Sequence, residues 1–350
     1  MGVEQRKALI RELQEKRGNS RVICCLTSDR DNAQGQIAKD FLYRFFQHLR
    51  STPSIQKLDI LLFTLGGDTL AAYALSRLAR QFGKHISVLV PHMCLSGGTL
   101  FALGADEIVM TRLATLSAID PSISGLLNPT IDMMAGIPGA VPGQKMPVPV
   151  AVESVSGFKK LVREEWRLDE EGTAAAFEWL AHKVHPLLLG DLQRSKEQIV
   201  RLATSLMKLH SNPMDADKIG QIVETLASGL GSHDYLIGSV EARSELKLHI
   251  AEENAEVEDL ILRLYEDFAE EMELGIPFDL GLEAQMAAIA AMQQQIRPGQ
   301  PSALAAPITK IVKMVMIETL EKSDVWEREF AIIPPAHVQI RRNHWRKTHA

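Results

Sequence analysis

The feature that most constrains this chain is an alternation, across its first 110 residues, between short apolar runs rich in β-branched residues and longer amphipathic stretches. Residues 21–27, 58–64, 86–90 and 107–110 have the length and composition of buried strands. Between them, Ile37, Phe41, Phe45 and Leu49 recur every four residues, and Leu75, Leu78 and Phe82 repeat at helical spacing, which predicts helices over 36–49 and 70–82. Strands joined by helices of this length need crossover connections, so the expected class is α/β with a mainly parallel sheet.

The chain has 350 residues, 46% of them hydrophobic, enough apolar content to bury a sizeable core and to exclude global disorder. At roughly 150 residues per domain the length suits about two domains. Its net charge of −6 argues against nucleic acid as the main partner, which would want a basic face. The three cysteines, Cys24, Cys25 and Cys94, cannot build a disulfide framework; with Cys24 and Cys25 adjacent in an apolar run, they point to a reducing compartment. The first 18 residues are charged throughout and lack the apolar stretch of an export signal, and no run reaches the roughly 18 apolar residues of a membrane span. A cytoplasmic protein without a membrane span is the expectation.

Beyond residue 125 the texture changes. Glycine and proline recur through 125–149 without periodicity, which reads as a long functional loop. Helical patterns resume near Val152 and continue through 173–185 and 190–210. Residues 252–273 carry ten acidic side chains against one basic, Arg263, with Val257, Ile261, Leu264 and Phe268 at helical spacing; this reads as a helix with a solvated acidic face, or alternatively as a partner-docking helix. Residues 294–307 read as a linker, and Arg341, Arg342, Arg346 and Lys347 as a solvated basic tail. The expected organisation is a domain over 1–250 followed by a helical C-terminal region over 251–350.

Two segments carry candidate chemistry. Thr64-Leu65-Gly66-Gly67-Asp68 follows a predicted strand and precedes a predicted helix. The pair is read either as a tight turn that needs glycine or as a close backbone approach whose N–H groups stabilise an oxyanion or a phosphate. Ser96-Gly97-Gly98-Thr99 again joins a strand to an apolar helix. Ser96 is either a helix cap or a nucleophile exposed at the turn, with the Gly97 N–H as oxyanion donor. The preceding Met93-Cys94-Leu95 excludes the G-x-S-x-G elbow of α/β-hydrolases.

Taken in order with 105–110 and Leu116-Ser117-Ala118-Ile119-Asp120-Pro121, these segments resemble the Clp-protease/crotonase fold. Within it the chain is most similar to the serine dehydrogenase proteinase family, related to signal peptide peptidase A and the stomatin-operon protease. Later stretches, His185 to Gly190, Arg194-Ser195, and 231–237 with Glu241-Ala242, continue the resemblance to about Leu248. It departs from the family at three places: Leu65 stands where proline is usual, Gly97 where alanine is usual, and Ser117-Ala118 where glycine-proline is usual. The resemblance implies a serine peptidase acting on protein or peptide substrates without a cofactor, with Ser96 as nucleophile and Gly66, Gly67 and Gly97 around the oxyanion. It also implies a homo-oligomer, for which 252–273 and 308–333 are the expected contact regions.

The base is the open position. The histidine of Clp proteases would fall here on Asp120/Pro121, and no histidine lies between Ser96 and His182. The peptidase A relatives use a downstream lysine, which implies a Ser-Lys mechanism with Lys145 as base, Lys159 and Lys160 being placed on a solvated helix. Asp120 is assigned a supporting role, orienting a hydroxyl such as Ser117 or pinning the loop. His185, read as a helix-boundary residue, and His233, in a polar turn, are the alternative bases. His182 and His185 lack a carboxylate or thiolate at ligand spacing, so no metal is expected. Two other functions remain as alternatives: a crotonase-like acyl-CoA enzyme, which uses the same paired oxyanion donors, and a non-catalytic assembly protein on the same scaffold.

Overall fold

The computed structural model describes residues 2–52, 54–123, 125–132, 145–279, 281–283, 285–286, 289, 308–333 and 337–349. In chain order the elements are α1 (Val3–Lys16), β1 (Arg21–Thr27), α2 (Lys39–Leu49), β2 (Ile55–Phe63), α3 (Thr69–Phe82), β3 (Gly83–Val90), β4 (Met93–Cys94), α4 (Gly97–Ala102), β5 (Glu107–Met110) and β6 (Thr115–Ser117). Then come β7 (Ser122–Ile123), β8 (Thr130–Asp132), β9 (Lys145–Pro147), β10 (Val150–Ala151), α5 (Val152–Lys160), α6 (Glu170–Lys183), α7 (Pro186–Met207) and α8 (Ala216–Glu224). The chain continues through β11 (Leu236–Gly238), α9 (Ser239–Ser244), α10 (Ala255–Met272), β12 (Ile308–Glu318), β13 (Lys322–Ile333) and β14 (His337–His349).

The residues group into two compact units: Met1–Leu116 with Leu209–Pro213 and Ile237–Ala350, and Ser117–Lys208 with Met214–Leu236. In the first unit the four strands read from the sequence form a parallel set, β1-β2-β3-β5, with α2 and α3 as crossovers. Strand alternation divides the core. Val22, Cys24, Leu26, Leu61, Phe63 and Leu89 pack with Leu9, Ile10 and Leu13 of α1 and with Val257, Ile261, Leu264 and Phe268 of α10. The apolar stripes of α2 (Phe41, Phe45, Leu49) and α3 (Ala72, Leu75, Ala79) are buried as well. No helix among the described residues is long and apolar enough to cross a membrane.

The C-terminal expectation is corrected. Residues 255–272 form α10 as 252–273 suggested, and its apolar face is buried within the chain. Residues 308–318, 322–333 and 337–349 are strands that extend the sheet to seven members in the order β14-β13-β12-β1-β2-β3-β5, with β12 antiparallel to β1. The basic residues of the expected tail therefore lie on β14, where Trp345 meets Trp326 edge to face at 5.6 Å and Arg346 pairs with Glu327. Residues 117–208 and 214–236 form a compact unit of their own. Of the expected loop at 125–149, residues 130–132 and 145–147 form an antiparallel ribbon. Residues 133–144 and the expected linker at 294–307 lie outside the described residues.

One ionic cluster ties this arrangement together. The guanidinium of Arg6, 2% exposed, donates to Asp267 and Glu271 of α10 and to Glu318 of β12, the last at 3.2 Å, and lies over the Phe268 ring at 4.1 Å. Removing one member of a buried ionic cluster strands the others without a counter-charge, which typically costs about 3–5 kcal/mol. Arg6→Met is therefore expected to lower the urea midpoint by a loss of that size, whereas Lys16→Met, which breaks only the solvated pair with Glu256, leaves it nearly unchanged. Equal midpoints for the two variants would contradict the assignment.

The second unit is mostly helical. Val152 of α5 packs with Leu188 and Leu192 of α7, and the far end of α7 (Ile199, Leu202, Leu206) is buried, as are Ile219, Ile222 and Val223 of α8. Residues 122–123 and 150–151 pair as a short antiparallel ribbon ahead of α5.

Candidate active site

In the first unit the two glycine-bearing turns are laced together. The Thr64 N–H donates to Met93 O and the Leu95 N–H to Thr64 O, both at 2.9 Å, so the end of β2 runs beside β4. The Thr64 hydroxyl, held by Thr27 at 2.9 Å, accepts the Gly66 N–H at 3.0 Å. Gly66 O in turn accepts from Ile37 N at 2.9 Å, and Asp68 N donates to Ile37 O at 2.8 Å. The groups used lie on either side of Gly67, which leaves the Gly67 amide outside this ladder.

Glycine is obligatory here for two reasons. Gly66 and Gly67 have φ of 117° and 143°, and a Cβ on Gly67 would lie 2.2 Å from Ile37 O. On the second turn, a Cβ on Gly98 would lie 2.5 Å from the Thr64 methyl, while one on Gly97 would lie 3.2 Å from Gly67 O and 3.3 Å from Gly67 N. The Gly67 and Gly97 amides are thus neighbours, and neither donates a hydrogen bond among the described residues. The Gly66 amide is engaged by Thr64, so of the three expected oxyanion glycines Gly66 shapes the turn and the other two present N–H groups.

Ser96 stands beside this pair. It occupies the N-cap position of α4 but makes no side-chain capping bond, so the capping reading of its hydroxyl does not hold. Its backbone has φ 49° and ψ −112°, a conformation that a residue with a Cβ adopts only under constraint. Strain of about 1–3 kcal/mol at one residue is tolerated where surrounding structure fixes it, and such positions cluster at functional sites. Thr99, whose hydroxyl donates to Cys94 O at 2.8 Å, and Leu100, whose N–H donates to Ser96 O at 3.0 Å, fix it here.

In the second unit the structure pairs two residues 113 positions apart. Asp120, 2% exposed, accepts a hydrogen bond from His233 Nδ1 at 2.6 Å. An ionised carboxylate only accepts, so Nδ1 carries the proton and Nε2 of the neutral ring is left as the acceptor. The bond to Asp120 holds the His233 pKa above its ordinary value, against partial burial. His233 is presented by a tight turn, with Gly231 at φ 73° and Asp234 N donating to Ser232 Oγ at 3.2 Å. Asp120, expected to orient a hydroxyl such as Ser117 or to pin the loop, thus accepts from His233, and the Ser117 hydroxyl donates to Ala118 O at 3.0 Å. A third group, unanticipated from the sequence, is Glu153 in the first turn of α5. Burial and the charge of Asp120 raise its pKa, and its Oε1 is buried without a partner among the described residues.

The other candidates lie in different settings. Lys145 is exposed on β9, opposite Asp132. Burial was the condition for a lysine base, and Lys145 is exposed. His185 is the N-cap of α7, its Nδ1 accepting from Leu187 N at 3.2 Å, which uses the nitrogen an accessory base would need to orient. His182 Nδ1 lies 3.0 Å from Glu178 O. Among the described residues no group of three or more His, Cys, Asp or Glu could hold a metal ion. All three cysteines are free and buried, and burial pushes their thiols well up, so none offers a ready thiolate.

Comparison with known proteins bears out the resemblance read from the motifs. Residues 2–135, which include both glycine turns and Ser96, match the ClpP-like SDH-type serine proteinases. An uncharacterized protein of Methanocaldococcus jannaschii is 26% identical over 269 residues, spanning 74% of this chain and 78% of its own. A second uncharacterized protein of that organism is 31% identical over 134 residues, 35% of this chain; the match spans less than half, 43%, of that relative's length. Among solved structures, a membrane-bound stomatin-specific protease aligns at 14% identity over 64% of this chain and 78% of its own, with a TM-score of 0.35. ClpP1 from Listeria monocytogenes aligns at 13% identity over 70% and 99%, with a TM-score of 0.34.

Proposed function

We propose that this chain hydrolyses peptide bonds through Ser96, with the Gly67 and Gly97 amides holding the oxyanion; His233, held by Asp120, is the imidazole with the chemistry of a general base. The observation that carries the reading is the strained Ser96 turn set beside two neighbouring amides that donate to nothing among the described residues. Attack on a carbonyl carbon moves charge onto the carbonyl oxygen, and two converging N–H groups stabilise that charge more than they stabilise the neutral carbonyl. The serine hydroxyl must give up its proton as it attacks, and a neutral imidazole with Nδ1–H held by a carboxylate accepts it at Nε2. The His233–Asp120 pair has that chemistry. Exposed Lys145 lacks it, so the serine–histidine form is preferred to the serine–lysine form that the resemblance implied. The substrate class in this reading is protein or peptide, and no cofactor enters the reaction.

The test is covalent labelling. A fluorophosphonate probe phosphonylates a serine only when an adjacent base and an oxyanion site activate it. Incubation of the purified chain is expected to give one adduct, mapped by peptide mass spectrometry to Ser96. A folded protein that takes up no probe, or takes it up at another serine, would remove the peptidase reading and favour a non-catalytic scaffold.

A further inference from the structure

The segment expected to be a solvated basic tail is strand β14, and the proposed peptidase chemistry makes no use of it. It lies at the end of the seven-stranded sheet, paired with β13 on one side and with no strand on the other among the described residues. Such an edge presents a row of unpaired N–H and C=O groups, a template for one further strand. From Arg342 to His349 its register against β13 is unbroken over eight pairs. Trp345 pins this run. Its ring meets Trp326 and, at 6.3 Å, Phe41 of α2 edge to face, and its Nε1 donates to Asp40 at 2.9 Å. The template is therefore ordered before anything binds, which removes part of the entropic cost of association.

Charge decides what can add to it. Residues 337–349 hold Arg341, Arg342, Arg346 and Lys347 and no acidic residue, in a chain whose net charge is −6. Glu327 and Glu329 of β13 answer Arg346 and Arg341. Arg342 and Lys347 are exposed and have no ion pair among the described residues. Being an odd number of residues apart on a regular stretch of strand, they stand on opposite faces of the sheet. A second copy of β14 laid along this edge would set its own cations against these, and like charges on neighbouring strands oppose pairing. We infer that the outer edge of β14 binds an extended acidic segment of a partner protein, which adds an eighth strand to the sheet. Main-chain hydrogen bonds supply the affinity, and carboxylates on both faces of the added strand meet Arg342 and Lys347 and supply the selectivity. None of the residues of the proposed peptidase site takes part, so the two assignments stand or fall separately.

The experiment uses the full chain and a labelled peptide of about eight residues built from glutamate, valine and threonine, with glutamates on both faces of the extended form. Fluorescence anisotropy reads binding, and amide hydrogen exchange reads the place. The glutamate peptide is expected to slow exchange within residues 342–349, and its lysine counterpart to have no effect. A strand turns only every second N–H toward each neighbour. N-methylation of one alternating set of peptide amides should therefore abolish binding, and methylation of the other set should leave it. Arg342→Glu combined with Lys347→Glu should weaken binding by about ten-fold or more, with the circular dichroism spectrum unchanged because both positions are exposed. A wild-type chain that shows no protection at roughly 1 mM peptide overturns the proposal, as does equal tolerance of both methylation patterns. A single-stranded oligonucleotide that protects the same amides as well as the peptide does would mark a general polyanion surface, and overturns it too. So does slow exchange of these amides in the free chain that is lost on dilution, which would mean that a second copy already covers the edge.

Discussion

Replacing Ser96 by alanine is expected to reduce hydrolysis of a fluorogenic peptide by about four orders of magnitude or more, the scale on which removal of an activated serine acts in enzymes that use one. The fold should survive, because the residue is half-buried and its hydroxyl does not cap α4. Alanine still has to adopt φ 49°, so the backbone strain stays and the unfolding midpoint should move little. The measurement pairs steady-state hydrolysis with urea unfolding of the same preparation. Undiminished hydrolysis in the folded variant would exclude Ser96 as nucleophile, whatever else labels or binds.

The second large effect is expected at Asp120. In the proposed mechanism the active form of His233 is the neutral imidazole, so activity should rise with pH as the imidazolium loses its proton. The bond to Asp120 holds that pKa above 6.5, which sets the midpoint of the acidic limb above the ordinary histidine value. Asp120→Asn removes the charge that favours the imidazolium, so the limb should move down. The rate on the plateau should also fall, by about 10⁴-fold if the wrong tautomer is then favoured. Lys145→Met should leave both plateau and limb in place. A limb in the alkaline range that vanishes in Lys145→Met, with Asp120→Asn unaffected, would restore the lysine mechanism. The same linkage bears on stability with a definite sign. Because the folded His233 pKa is raised, the pair stabilises the fold fully below the unfolded imidazole value, and that contribution fades as pH rises through the folded value.

Several parts of this molecule were legible along the chain because their causes are local. Strand β1 was read at 21–27 and β5 at 107–110 with the bounds the structure has; β1 is apolar on both faces because it is buried, which needs no partner to be recognised. The Gly66-Gly67 and Ser96-Gly97-Gly98 turns were visible because glycine at a strand end signals a backbone that must bend or approach closely. The chain order of those motifs was enough to indicate the fold to which they belong. What the pattern could not carry was any pairing between distant segments. In 308–318, Lys310 and Lys313 stand three apart among apolar residues, a spacing as compatible with a helix as with a strand; pairing with β1, some 290 positions earlier, decides for the strand. The acidic stretch at 252–273 does not disclose that Asp267 is buried against Arg6. Nor does any local spacing connect Asp120 to His233: the two meet because the intervening helices return the chain, and only then does a turn histidine acquire a fixed tautomer, a raised pKa and an acceptor nitrogen. Local sequence determined the strands, the turns and the nucleophile candidate; which charges pair, Asp120 with His233 and Arg6 with Asp267 among them, was decided by tertiary structure, because Coulombic and hydrogen-bond partners are chosen by distance in space and burial, not by distance along the chain.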